Sequence, residues 1–92
     1  IQSDHEQIYY LEDGTLLETT IGNLILEIDG NLYTPPAHLP ILDGIYRCHL
    51  LETGQVEEKL LTLKDLEVAD QVYACNALRG LYPLDFTREE SE

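Results

Sequence analysis

The sequence predicts a small α/β (α+β) domain, antiparallel hairpins first and short helices after. Three observations carry this reading. Asp-Gly pairs at Asp13-Gly14 and Asp29-Gly30 each sit between runs of β-forming residues, the pattern of a two-residue hairpin turn that needs positive φ. Prolines at Pro35, Pro36 and Pro40 then end the extended pattern, and helix start and stop signals follow. Finally, "QVYACNAL" is apolar on both faces, as a strand inside a sheet is.

Taken in order, "QIYYLEDGTLLETT" reads as the first hairpin and "NLILEIDGNLYT" as the second. Strand alternation places Leu24, Leu26 and Ile28 on one face and Ile25 and Glu27 on the other. Asp43 is placed to cap a helix that begins at Gly44, runs to about Thr53 and stops at Gly54. Ile41, Ile45 and Cys48 fall on one side of it, with Leu51 nearby. "VEEKLLTL" reads as a short strand. In "TLKDLEVAD", Thr62 is an N-cap with Asp65 three positions on, a capping box with Asp in the Glu place, and Leu63, Leu66 and Ala69 form an apolar stripe. "RGLYPLDF" turns at Arg79-Gly80 into a last strand, and "TREESE" reads as a solvated tail. The domain expectation is therefore one unit over residues 1–86 with a tail over 87–92. A start at Ile1 rather than Met suggests a piece of a longer protein.

The hydrophobic share of 43% belongs to a folding chain. No apolar run approaches the roughly 20 residues that span a bilayer, and no signal-peptide pattern opens the chain, so the expected setting is cytoplasmic. Eighteen acidic residues against five basic ones give a net charge of −13, which argues against nucleic acid and anionic membranes as partners. Cys48 and Cys75 have no metal-type spacing and read as two buried thiols, one disulfide being the alternative. His5, His38 and His49 make no ligand pattern, so no metal is expected.

Four places have residues suited to chemistry. In "TPPAHLPILDGIYR", Gly44 lets backbone pass close to a ligand, and the N–H groups of Ile45 and Tyr46 fall in a first helical turn, where anions settle without a cationic side chain. Glu18 in "LLETTIGNL" is either a strand carboxylate facing water or an acid held against a ring nitrogen, which it would keep protonated. Asn23 is either the group that orients that acid or an ordinary polar residue at a strand bend. Asn76 ends the apolar strand and marks either a site or a bonded loop, and Arg79 after it is either a bidentate partner for a substrate carboxylate or a surface ion pair.

"LLETTIGNLIL", "DGNLYTPP", "ILDGIYR" and "CNALRGLYPL" occur together and in the order seen in the class IV aminotransferases, and the chain resembles the C-terminal half of that family from about Gly14 to Leu84. These are fold-type-IV enzymes that use pyridoxal 5′-phosphate. The wording is most similar to the aminodeoxychorismate lyase-like domain fused to aminodeoxychorismate (para-aminobenzoate) synthase component I. The resemblance implies the C-terminal domain of a D-amino-acid aminotransferase-like fold. It implies that Glu18 pairs with the pyridine nitrogen, that Asn23 lies near the cofactor and that Leu42 packs on its ring. Gly44, Ile45 and Tyr46 then form the phosphate loop. Tyr46 replaces a Thr common in the family, so only its backbone contact carries over. Ala77 stands where many relatives have a phosphate-binding Thr, flanked by Asn76 and Leu78, and Arg79 is assigned to a substrate carboxylate.

The family's Schiff-base lysine would lie upstream of Glu18 by more residues than the chain has, and neither Lys59 nor Lys64 matches it. The resemblance therefore implies an inactive cofactor-binding half whose partner is the N-terminal domain of the same protein, with a homodimer plausible. It implies a small-molecule substrate: a parent lyase forming 4-aminobenzoate and pyruvate for folate biosynthesis, with a branched-chain or D-amino-acid transaminase and a non-catalytic interaction domain as alternatives.

Overall fold

The computed structural model describes residues 2–3, 6–42 and 44–84. In chain order the elements are β1 (Gln2–Ser3), β2 (Glu6–Tyr10), β3 (Leu16–Thr19), β4 (Asn23–Ile28), β5 (Asn31–Thr34), α1 (Ile45–Glu52), β6 (Glu57–Glu58), α2 (Leu63–Val68), β7 (Gln71–Asn76) and β8 (Gly80–Pro83). All strand pairs are antiparallel except β5 with β6, which run parallel, so the expected antiparallel sheet with short helices is present as a mixed sheet.

The two Asp-Gly turns differ. At Asp29-Gly30 both residues have positive φ (54° and 83°), and Ile28 pairs with Asn31, a two-residue turn as expected. At the first hairpin only Gly14 is left-handed, with φ 93°. Leu11 N–H donates to Thr15 O at 2.8 Å and Gly14 N–H to Leu11 O at 2.9 Å. The loop therefore has an extra residue, with glycine in the bulge position, in place of the expected two-residue turn.

β4 is the axis of the fold, paired with β5 and β7 and meeting β3 at its first residue. Leu24, Ile25 and Leu26 are fully buried because both of its faces are covered. On one face Leu24 and Leu26 join Ile8, Leu16, Leu61, Leu66 and Val72, with Ile28 packed alongside. On the other, Ile25 packs with Leu50, Val56 and Cys75. Burying each such aliphatic side chain contributes about 1.5–3 kcal/mol, which makes this strand the main anchor of the fold.

α2 covers the first face. Its capping box is formed: Thr62 N–H donates to Asp65 Oδ2 at 2.9 Å, and Asp65 N–H donates to the Thr62 hydroxyl. α1 covers the second face, but not with the expected side. Its buried residues are Arg47 and Leu50, while Ile45 is 81% exposed and Cys48 is only partly buried. Arg47 turns inward because Pro35 O and the Glu58 carboxylate meet its guanidinium there. Neither cysteine is in a disulfide, and only Cys75 is fully buried. The strand expected in "VEEKLLTL" is the two-residue β6. The proposed Asp43 cap, the end of the last strand at Asp85-Phe86 and the tail lie outside the described residues. Among the described residues no helix is long and apolar enough to cross a membrane.

Candidate functional site

A cleft of about 520 Å³ opens where the β3–β4 turn, the start of α1 and the end of β7 meet. The size is within the range of small-ligand pockets. Three pieces of local structure build it. The first is the Thr19–Gly22 turn. The Thr19 hydroxyl donates to Gly22 O at 2.8 Å and accepts from the N–H groups of Ile21 and Gly22. Gly22 lets this turn lie against β7, since a Cβ there would sit 2.4 Å from Cys75 O.

The second piece is a clamp on one peptide unit. Glu18 and Asn23 face each other across β3 and β4. Leu42 N–H donates to Glu18 Oε1 at 3.0 Å, and Asn23 Nδ2 donates to Leu42 O at 2.6 Å. Residue 42 is thus held from both sides, by an acid and by an amide that is 4% exposed. Among the described residues, none donates to the other Glu18 oxygen. Gly44 follows, and a Cβ there would sit 2.7 Å from Asn23 Oδ1. Gly44 is the N-cap of α1 and provides no side-chain cap, so the N–H groups of Ile45 and Tyr46 stand in the first turn with no intrahelical acceptor.

The third piece is the loop after β7. Asn76 Oδ1 accepts from Leu78 N–H at 3.0 Å and Arg79 N–H at 2.8 Å, while Asn76 Nδ2 donates to Ile21 O at 2.8 Å. Its side chain is therefore spent on shaping the loop and tying it to the first turn, which leaves Ala77 at the cleft wall.

Of the residues singled out by sequence, Glu18, Asn23, Leu42, Gly44, Ile45, Asn76 and Ala77 line this one cleft. Tyr46 does not: its side chain packs toward Gly80 and the second core cluster, and its N–H belongs to the first turn of α1. Leu78 is 92% exposed and stands outside the lining. The Arg79 guanidinium lies 4.1 Å above the Tyr82 ring, also outside the lining. The sequence reading missed Thr19 and Gly22, together with Thr20, Ile21 and Cys75, as parts of the site. The signal for the first two was present: a Thr three residues before a Gly that separates two strands is a turn builder. Cys75 is a thiol whose pKa burial pushes up to about 11, so at neutral pH it is a protonated, apolar floor to the cleft.

The sequence model of the amino-transferase class IV family matches residues 2–85. The chain belongs to the class IV aminotransferase family. An aminodeoxychorismate lyase from Vibrio harveyi is 36% identical over 74 residues, a match that takes in 75% of this chain and 27% of the lyase. A candidate amino-acid aminotransferase from Mesorhizobium loti superposes with a TM-score of 0.81 at 35% identity, covering 89% of this chain and 40% of that one. An aminotransferase from Brucella abortus bound to pyridoxal phosphate superposes with a TM-score of 0.75 at 26% identity, covering 87% of this chain and 30% of that one. The chain thus spans well under half the length of these relatives. The architecture is that of the fold-type-IV enzymes, and the family's cofactor is pyridoxal phosphate.

The residues present suit that cofactor. It has a basic ring nitrogen at one end and a dianionic phosphate at the other. The cleft has a carboxylate, one oxygen of which receives no donor among the described residues, near one wall and the start of α1, with no side-chain cap from Gly44, near the other. A glycine lies between them, where any side chain would collide with Asn23.

Proposed function

We propose that this chain is the cofactor-holding part of a pyridoxal-phosphate enzyme and that the whole enzyme is a 4-amino-4-deoxychorismate lyase. The observation that carries the first statement is the gathering of Glu18, Asn23, Leu42 and the α1 start around one cleft. Glu18 holds a proton on the ring nitrogen, because an anionic partner favours the charged form of a base. Leu42, 72% exposed beside the cleft, packs on the ring face. The N–H groups of Ile45 and Tyr46 take the phosphate, aided by the helix dipole. Bound there, the cofactor supplies an electron-poor ring that stores the electron pair left when a substrate C–H bond breaks. In a chain of net charge −13, backbone donors rather than cationic side chains suit this seat.

No lysine lines the cleft. Lys59 lies 5.1 Å over the Tyr33 ring, Lys64 belongs to α2, and neither is in the lining. The covalent attachment and the proton shuttle therefore come from outside this sequence, and the 92 residues alone are inactive in this reading. The likeness to the Vibrio harveyi lyase supports elimination to 4-aminobenzoate and pyruvate. The comparable likeness to the Mesorhizobium loti protein supports amino transfer instead. The test is to assay the full-length gene product for pyruvate release from 4-amino-4-deoxychorismate and for keto-acid-dependent amino transfer. Pyruvate without a keto-acid requirement supports the lyase; transfer alone overturns it.

A further inference from the structure

Arg47 is the one buried cation among the described residues, at 2% exposure on the third position of α1. Its Nη2 donates to Pro35 O at 2.8 Å and to Glu58 Oε2 at 2.6 Å. The same carboxylate oxygen accepts from Ala37 N–H at 3.2 Å. One guanidinium–carboxylate pair, drawn from α1 and β6, therefore holds the proline loop at both Pro35 and Ala37. The far end of that loop is held at Leu42 by Glu18 and Asn23. The start of α1 lies between these two anchorages, so its direction is set by both.

Desolvating a guanidinium is costly, and such a group fixes geometry only where hydrogen bonds meet it. Here a carbonyl and a carboxylate do so. The charge is also felt at the cleft floor: Arg47 lowers the Cys75 pKa against the larger upward push of burial.

Resting on the cofactor reading above, we propose that Arg47 is a positioning residue for the phosphate seat. Through Pro35 and Glu58 it sets the direction of the first turn of α1, and so the aim of the Ile45 and Tyr46 N–H groups. It touches neither cofactor nor substrate. Lysine is a poor replacement, because its compact, strongly hydrated ammonium is costlier to bury than the delocalised guanidinium.

The test compares pyridoxal 5′-phosphate with pyridoxal, which lacks the phosphate, as ligands of the full-length apo protein. The proteins are wild type, Arg47→Lys and Glu58→Gln. Arg47→Lys is expected to weaken phosphate-ester binding about tenfold, on the scale of one charge-assisted hydrogen bond, and to leave pyridoxal affinity unchanged. Glu58→Gln keeps an amide oxygen that can accept from the buried guanidinium while removing the charge, and is expected to show the same selective loss to a smaller degree. Parallel weakening of both ligands in the two variants overturns the proposal, since a merely structural role would not distinguish them. Unchanged phosphate-ester affinity in both variants overturns it too, while leaving the cofactor reading intact. A wild type that binds neither ligand overturns the cofactor reading itself, and this proposal with it.

Discussion

Replacing Gly44 by alanine tests the clamp on residue 42 directly. Gly44 has φ −69° and ψ 152°, which alanine adopts without strain, so any cost must come from space. The new Cβ would lie 2.7 Å from Asn23 Oδ1, well inside contact distance. Relief requires the amide to move by several tenths of an ångström. That side chain is buried and donates to Leu42 O at 2.6 Å, so moving it gives up the bond. A net intramolecular hydrogen bond is worth about 1 kcal/mol. The smaller effects oppose each other. Alanine reduces unfolded-chain entropy, which favours folding by roughly 0.4–1 kcal/mol. It is a poorer N-cap than glycine by a comparable amount of about 0.5–1 kcal/mol. Gly44→Ala should therefore cost about 1 kcal/mol in the wild type and close to nothing in an Asn23→Ala background, a coupling of about 1 kcal/mol. Urea unfolding of the four proteins measures this as midpoint shifts at constant m. An equal cost of Gly44→Ala in both backgrounds would refute the reasoning, because the collision with Asn23 would then not be its source.

Three further outcomes follow from the geometry. Gly22→Ala should be far more damaging than Gly44→Ala, by more than about 2 kcal/mol, because its Cβ meets the Cys75 backbone oxygen at 2.4 Å and backbone cannot swing aside; a midpoint shift no larger than that of Gly44→Ala would contradict this. Cys75 makes stability depend on pH: below pH 9.0 the thiol is protonated in both states, whereas above it only the unfolded chain ionises readily, so stability falls as pH rises from 9.0 through about 11. The loss approaches about 3 kcal/mol, and Cys75→Ala should flatten this slope in unfolding measured across that range. Alkylation at pH 8 should modify Cys48, which is partly exposed, well before Cys75, read by peptide mapping.

Much of the fold is legible in the residues because local rules and tertiary context agree. The Asp29-Gly30 turn, the alternation along β4 and the Thr62 capping box are set within a few residues of chain, and all three form as their patterns dictate. The departures occur where distant partners decide. The first hairpin carries the same Asp-Gly pair, yet its loop is the longer kind, with Gly14 O accepting from Leu63 N–H at 3.0 Å and Thr15 bridged to Thr62 far along the chain. In α1, apolar periodicity points Ile45 inward, but Arg47 takes the buried side because Pro35 O and Glu58, 12 and 11 positions away, meet its charge. No local pattern shows that. The candidate site has the same division. Glu18, Asn23, Gly44 and Ile45 are identifiable as residues suited to an acid-and-anion site, but their assembly around Leu42 depends on the β3–β4 register. The side chain of Asn76 turns out to build its loop, the plainer of its readings. Arg79 stacks on Tyr82 rather than lining the cleft.

The account rests on the Glu18 carboxylate serving the base of a ring whose far end is gripped by the start of α1. The most direct measurement is the 15N chemical shift of the pyridine nitrogen in 15N-labelled pyridoxal phosphate bound to the full-length protein, wild type and Glu18→Gln. A protonated nitrogen in the wild type that becomes unprotonated in the variant is the predicted result. A nitrogen in the same protonation state in both would contradict the account.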